Sequence, residues 1–147
     1  MRATYRVVSG LIALAVVFQA AMIAFGTFGF IHEIEDGAIF TTDTDPPNAG
    51  PMLHAIGGTL VIPLLALVLL VVSFLAKVRR GVTWAALVLL GVVVQITLGY
   101  AAFELPAAGL LHAVNAFAIL TLALVAYRAA TRAEPSPAEA TGDAARV

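Results

Sequence analysis

The stretch LHAIGG at residues 53–58 returns as LHAVNA at residues 111–116, and each copy opens a long apolar segment. Each copy also follows a hydrophobic stretch that contains a single glutamine, Gln19 before the first copy and Gln95 before the second. A buried imidazole is costly without a partner, and a metal is a common strong partner. One histidine at a matching position in each half, His54 and His112, therefore predicts a two-histidine metal site.

The composition predicts an integral membrane protein. Of the 147 residues 61% are hydrophobic and 12% are charged, whereas soluble domains are roughly 45–50% apolar. A helix needs about 20 apolar residues to cross a bilayer core of ~30 Å. Four stretches meet this length: Tyr5–Phe30, Met52–Ala76, Val82–Phe103 and Ala107–Tyr127.

These spans predict an all-α fold, an up-and-down four-helix bundle built from two similar helical hairpins of the same orientation. The membrane domain covers residues 1–132. The polar, proline-bearing tail 133–147 is expected to be a disordered cytoplasmic segment. Pro63 lies inside the second span and predicts a kink there.

The charges predict one orientation across the membrane. All eight cationic residues fall on one side of the four-span arrangement: Arg2, Arg6, Lys77, Arg79, Arg80, Arg128, Arg132 and Arg146. The loop 31–51 and the turn 104–106 carry these acidic residues instead: Glu33, Glu35, Asp36, Asp43, Asp45 and Glu104. By the positive-inside rule, both termini are cytoplasmic and the loop 31–51 lies outside. We therefore expect an integral protein of a prokaryotic cytoplasmic membrane.

The two histidines are predicted to meet near the outer face. His54 and His112 each lie within the first turn or two of a span that runs from outside to inside. In an up-and-down bundle the second and fourth spans are diagonal neighbours, roughly 12–14 Å apart when adjacent axes are about 8–10 Å apart. This distance suits two imidazoles that bind one iron from opposite sides of a porphyrin.

Small and polar residues accompany both histidines. Gly57 and Gly58 follow His54 at helical spacing, and Asn115 and Ala116 follow His112 in the same way. Such residues leave room for a flat macrocycle, although small residues also serve close packing of membrane helices. The two glutamines, Gln19 and Gln95, either form hydrogen bonds between helices or orient a group next to the cofactor.

Other site types receive less support. The chain has no cysteine, which excludes disulfides, thiolate ligands, iron–sulfur clusters and covalently attached c-type haem. His32 lies in an acidic segment at the outer edge of the first span, and its surroundings favour a solvated loop over a metal site.

The stretches QITLG at 95–99, LP at 105–106 and LHAVNA at 111–116 resemble the third and fourth helices of a half-domain of the haem A synthase family. The resemblance covers about residues 5–128. It implies that His54 and His112 are axial ligands of a b-type haem, with one four-helix half in place of the family's two. In the family's catalytic half, a glutamate stands three residues before the first histidine. Pro51 occupies that position here, so the resemblance implies haem binding more than haem A synthesis.

Together these features predict a b-type membrane cytochrome. One haem b would be held by His54 and His112, with Gly57, Gly58, Asn115, Ala116, Gln19 and Gln95 around it. Because ligation by two histidines leaves no open position on the iron, electron transfer is the expected role.

The expected partners are the lipid bilayer, a quinone or a redox protein at the outer face, and a larger membrane complex; nothing points to nucleic acid. Two alternatives stay open. The chain could be an accessory subunit of a larger complex without haem, or a small haem-dependent oxidoreductase. Whether it is an enzyme is undecided by the sequence.

Overall fold

The structure, a computed structural model, describes residues 1–41 and 43–132, and within these ranges it is all-helical, with no strand. Its four helices are α1 (Arg2–Glu35), α2 (Gly50–Ser73), α3 (Gly81–Glu104) and α4 (Ala107–Thr131). Each is long and apolar enough to cross a membrane. The predicted all-α class is confirmed. The predicted tail, residues 133–147, lies outside the described residues.

The helix ends differ from the predicted spans because they are set by local backbone chemistry as well as by hydropathy. α1 continues past its apolar run to Glu35 and stops before Gly37, whose φ of 96° only glycine adopts without strain. α2 begins at Gly50 with Pro51 in its first turn, where proline has the right φ and needs no donor. α2 ends at Ser73, three residues before the predicted limit.

α2 changes its hydrogen-bonding pattern in the middle. Residues Gly50–Ile56 and Ile62–Ser73 are α-helical, and Gly57–Val61 form one turn of π-helix. Across this turn the N–H of Ile62 bonds to the carbonyl of Gly57, five residues earlier. Pro63 follows directly, and its lack of an N–H breaks the regular α-helical ladder. The predicted irregularity therefore takes the form of a wide turn that ends just before Pro63.

Each helix packs against the next in the chain, and α4 returns to pack against α1. The buried core is concentrated at one level: the first half of α1, the second half of α2, the first half of α3 and the second half of α4. Its fully enclosed members are Tyr5, Ser9, Ile12, Ala66, Leu69, Ala85, Val88, Ala123 and Ala126. We call this level the packed half. The level at the other ends of the helices, which contains both histidines, is the open half.

Hydrogen bonds fasten the helix ends of the packed half. The hydroxyl of Tyr5, which is fully buried, donates to the carbonyl of Gly81 at 2.9 Å and joins α1 to the start of α3. The Arg2 guanidinium donates to the carbonyls of Ala130 at 3.1 Å and of Arg132, and so joins α1 to the end of α4. The cationic ends of the helices therefore meet at one end of the molecule, as the charge pattern predicts.

At the opposite end, the α1–α2 connection returns to α1 by close backbone contact. The Asn48 side chain donates to the carbonyl of Phe25 at 3.0 Å and accepts from the N–H of Gly50 at 2.9 Å. A Cβ on Gly50 would lie 2.5 Å from the Met22 carbonyl, and one on Gly26 would lie 2.7 Å from the Pro51 ring. Both glycines are therefore required for α2 to begin at this position beside α1. The start of α2 in turn determines which part of α1 lies next to His54.

The Tyr5 bond yields a stability prediction. Tyr5→Phe removes the hydroxyl and leaves the Gly81 carbonyl without this donor, so we expect the unfolding free energy to fall by about 0.5–1.5 kcal/mol. The measurement is thermal unfolding in detergent micelles, followed by circular dichroism. Tyr127→Phe is the matched control, since Tyr127 is 38% exposed and its change should leave the midpoint unaltered. Equal shifts for both variants would contradict the prediction.

Candidate functional site

The open half contains a cavity of about 420 Å³ to which all four helices contribute. Six of the eight residues predicted for the site line it: Gln19, His54, Gly58, Gln95, His112 and Ala116. The other two, Gly57 and Asn115, lie behind the lining and contact the two glutamines instead. Its volume is within the range of pockets that bind small molecules and cofactors, about 300–1,000 Å³.

The two histidine rings face each other across this cavity. His54 is the fifth residue of α2 and His112 is the sixth of α4, so both stand about 6–8 Å along their helices at 1.5 Å per residue. Their ring centroids are 6.2 Å apart, and the ring planes are inclined at 56°. Helices α2 and α4 thus bring the two imidazoles together at similar distances from the first residues of these helices.

Each imidazole is held by the backbone of the helix that precedes its own. His54 Nδ1 lies 3.1 Å from the carbonyl oxygen of Gln19, and His112 Nδ1 lies 3.0 Å from the carbonyl oxygen of Gln95. A carbonyl only accepts hydrogen bonds, so Nδ1 carries the proton in both rings. In a neutral ring, Nε2 then holds the free lone pair.

The side chain of Gln95 is fixed by a second hydrogen-bond network. Asn115 Nδ2 donates to Gln95 Oε1 at 2.7 Å and to the carbonyl of Gly91 at 2.9 Å. These bonds join α3 to α4 one turn below His112. The sequence-based alternative of hydrogen bonding between helices is thus what the structure shows for Gln95.

Gln19 occupies the equivalent place beside His54 but is held differently. Gly57 stands where the second copy has Asn115, and a Cβ on Gly57 would overlap Gln19 Nε2. Gln19 Nε2 makes only a long contact of 3.5 Å to the carbonyl of Leu53. Its Oε1 is buried and has no hydrogen-bond partner among the described residues. Gly57 therefore makes space for the Gln19 side chain rather than for the cavity.

Two glycines of α3 serve close packing. A Cβ on Gly99 would lie 3.2 Å from the His112 ring, so the imidazole rests against the bare backbone there. A Cβ on Gly91 would lie 2.9 Å from Ile119. These two glycines therefore allow close packing of α3 against α4, whereas Gly58 and Ala116 line the cavity.

Most of the remaining wall is aliphatic, and sequence reasoning did not assign it to the site. These residues are Val16, Val17, Ala20, Ile23, Ile62, Val92, Ala113, Phe117, Ile119 and Leu120. Val16 and Ile23 share the helical face of Gln19 at spacings of three and four residues, and Ile119 and Leu120 continue the face of His112 at spacings of seven and eight residues. This periodicity was the available signal, but in an apolar span it does not distinguish a cavity wall from lipid-facing surface.

His32 lies apart from the cavity. Its Nε2 is 3.9 Å from an Asp36 carboxylate oxygen, and the two side chains are 72% and 70% exposed. The predicted solvated setting agrees with this geometry. In residues 1–41 and 43–132, no group of three or more His, Cys, Asp or Glu side chains is arranged to hold a metal ion.

Two imidazoles alone are too few donors for a protein-bound metal ion, since structural and catalytic sites supply three or four protein ligands. The pair suits a metal whose other ligands arrive with it, as in a porphyrin. No family model matches the chain, and no curated protein or solved structure matches it.

The backbone contacts of the histidines predict one tautomer. Both neutral rings should carry their proton on Nδ1, because each Nδ1 faces a carbonyl oxygen. Nitrogen-15 spectra of histidine-labelled apoprotein test this, with the exposed His32 ring as internal reference. A proton on Nε2 in the ring of His54 or His112 would contradict the geometry.

The network below His112 predicts an effect on stability. Asn115→Ala removes both donated bonds, and we expect a loss of about 1 kcal/mol, since hydrogen bonds between membrane helices average ~0.6 kcal/mol each. Thermal unfolding in micelles measures it. Thr121→Ala is the control, because the Thr121 hydroxyl bonds only to the Phe117 carbonyl of its own helix. A loss no larger than that of the control would count against the network.

Proposed function

We propose that the four helices form an up-and-down bundle within a membrane, made of two similar hairpins, α1–α2 and α3–α4. Three pairs of matching features support the repeat: the histidines, the glutamines and the carbonyl contacts that join them. We further propose that the cationic end is cytoplasmic and that the acidic end, with the α1–α2 connection, faces outward. The support is the separation of charge between the two ends of the helices.

Within this bundle we propose a b-type haem held by His54 and His112. The observation that carries the proposal is the ring separation of 6.2 Å. Metal–imidazole bonds are about 2.0–2.1 Å, and a ring nitrogen lies roughly 1.2 Å from its ring centre, so two imidazoles on one iron have centroids roughly 6–6.5 Å apart. The pair already stands at this distance.

The contacts around the rings suit ligation. Metal-binding histidines almost always donate their second N–H to a carbonyl, carboxylate or water, which fixes the ring and raises its basicity. His54 and His112 both do so toward glutamine carbonyls. The aliphatic wall of the cavity suits the faces of a macrocycle. The sequence resemblance to a half-domain of the haem A synthase family leads to the same proposal.

The proposed role is electron transfer. A bound haem would supply a one-electron carrier, and with both His54 and His112 as ligands the iron would have no open position, which favours electron transfer over oxygen chemistry. The chain contributes the two ligands, their orientation and an apolar surrounding. We propose that electrons pass between a quinone or a partner subunit and an acceptor at the outer face, where the exposed acidic residues provide a docking surface for a cationic protein.

The direct test is an optical spectrum of the protein purified after haem-replete expression. We expect a Soret band and a sharp α-band in the reduced-minus-oxidised difference. His54→Ala and His112→Ala should each abolish the six-coordinate spectrum and lower haem content, because each removes one axial ligand. His32→Ala is the control and should leave the spectrum unchanged, since its ring is exposed and remote from the cavity.

The outcome also separates the alternatives. A colourless protein that co-purifies with a stoichiometric partner would refute haem binding and favour the accessory-subunit function. A haem protein whose spectrum is indifferent to both alanine variants would refute the assignment of ligands.

A further inference from the structure

The wall of the haem cavity is exposed on one side only. Five lining residues are exposed, and all of them lie on α1 and α4: Val17, Ala20, Ile23, Ala113 and Phe117. All five are apolar, and Ala20 and Ala113 have the smallest side chains. We call these five residues the lateral opening.

The lining residues of the other two helices are less exposed. The lining residues of α2 and α3 are buried, as Ile62 and Val92 are, or half-buried, as His54, Gly58 and Gln95 are. No exposed residue of α2 or α3 contributes to the lining. The cavity thus communicates with the outside between α1 and α4, at a level flanked by apolar helix surface.

The opening results from how α1 and α4 pack. In the packed half the two helices meet through small or fully buried residues, such as Ala13 on α1 and Ala123 and Ala126 on α4. In the open half the adjoining residues include Val17, 53% exposed, and Phe117, 71% exposed. Small residues allow close approach of membrane helices, so the two helices are close at one level and leave a gap at the other.

Charge disfavours the alternative route from the water outside. Six exposed carboxylates occupy the acidic end of the helices: Glu33, Glu35, Asp36, Asp43, Asp45 and Glu104. A haem carries two propionates, which are negative at neutral pH, and like charges repel one another at short range. The lateral opening carries no charge, and a porphyrin edge with methyl and vinyl groups matches its aliphatic and aromatic side chains.

We infer that a membrane-dissolved haem reaches its ligands sideways from the bilayer, through the lateral opening between α1 and α4. This inference rests on the proposed haem function. His54 and His112 would hold the iron through the Nε2 lone pairs of their rings, and uptake would transfer neither an electron nor a proton.

The experiment measures haem uptake and release in lipid nanodiscs. Apoprotein is mixed with vesicles that contain hemin, and growth of the Soret band gives the uptake rate. Release is measured by transfer to an excess of a haem-scavenging apoprotein. Ala20→Trp and Ala113→Trp should slow both uptake and release by about tenfold, an added barrier of about 1.4 kcal/mol for each process.

Matched variants on the same helices serve as controls. Ala21 and Val114 are exposed neighbours of Ala20 and Ala113 but do not line the cavity, so Ala21→Trp and Val114→Trp should leave both rates unchanged. Phe117→Ala widens the opening without disturbing the core, and should accelerate uptake and release alike. Because Phe117→Ala is expected to change the rates in the opposite direction, the test remains valid if a tryptophan variant does not fold.

The outcomes are distinct. Equal slowing by the lining and control tryptophans, or unchanged rates in all five variants, would overturn the lateral route. A raised dissociation constant with an unaltered uptake rate would also overturn it. The substituted residues would then contact the bound haem and have no effect on its entry. Absence of any Soret band in the unsubstituted protein would refute the haem function itself, and the route with it.

Discussion

Two hydrogen bonds from imidazole to backbone determine the geometry of the site. The carbonyl oxygens of Gln19 and Gln95 belong to helices, and a carbonyl oxygen has a second lone pair beyond the one used in the helical ladder. Each second lone pair accepts from a histidine of the following helix, at 3.1 and 3.0 Å. The bond therefore ties two helices together, fixes the tautomer and leaves Nε2 as the free ring nitrogen. In an apolar surrounding without competing water, such a bond is hard to replace.

The packed half supplies the rigidity that this arrangement needs. Small side chains let the four helices approach closely there, and the buried Tyr5 and the Arg2 guanidinium fasten the helix ends. The open half contains the cavity, which is lined by the two histidines, by glutamines and mostly by aliphatic side chains. The rigid packed half and the contacts in the open half hold the two imidazoles in place, so a proposed haem would meet groups that are already ordered, which reduces the cost of ordering them.

Much of the fold could be predicted from hydropathy and charge, because four apolar stretches separated by turn residues permit few alternatives. The pairing of His54 with His112 could also be anticipated, since equal depth on like-directed helices follows from their spacing. The contacts of the rings with the glutamine carbonyls could not be predicted. Every residue has a backbone carbonyl, so the sequence does not indicate which one accepts a hydrogen bond from a side chain. The roles of Gly57 and Asn115 were also hidden. Both seemed to provide space for a cofactor, yet they decide how each glutamine amide is held.

The π-helical turn at Gly57–Val61 has a consequence for the relation between the two hairpins. Ile62 is buried eight residues after His54, whereas Ile119 is buried seven residues after His112. One residue advances an α-helix by about 100°, so an unbroken helix would turn Val61 inward in the first hairpin. Instead Val61 is 43% exposed and Ile62 lines the cavity. The π-helical turn accommodates one additional residue between His54 and Ile62. Ile62 therefore faces inward like Ile119, although it lies one residue further from its histidine.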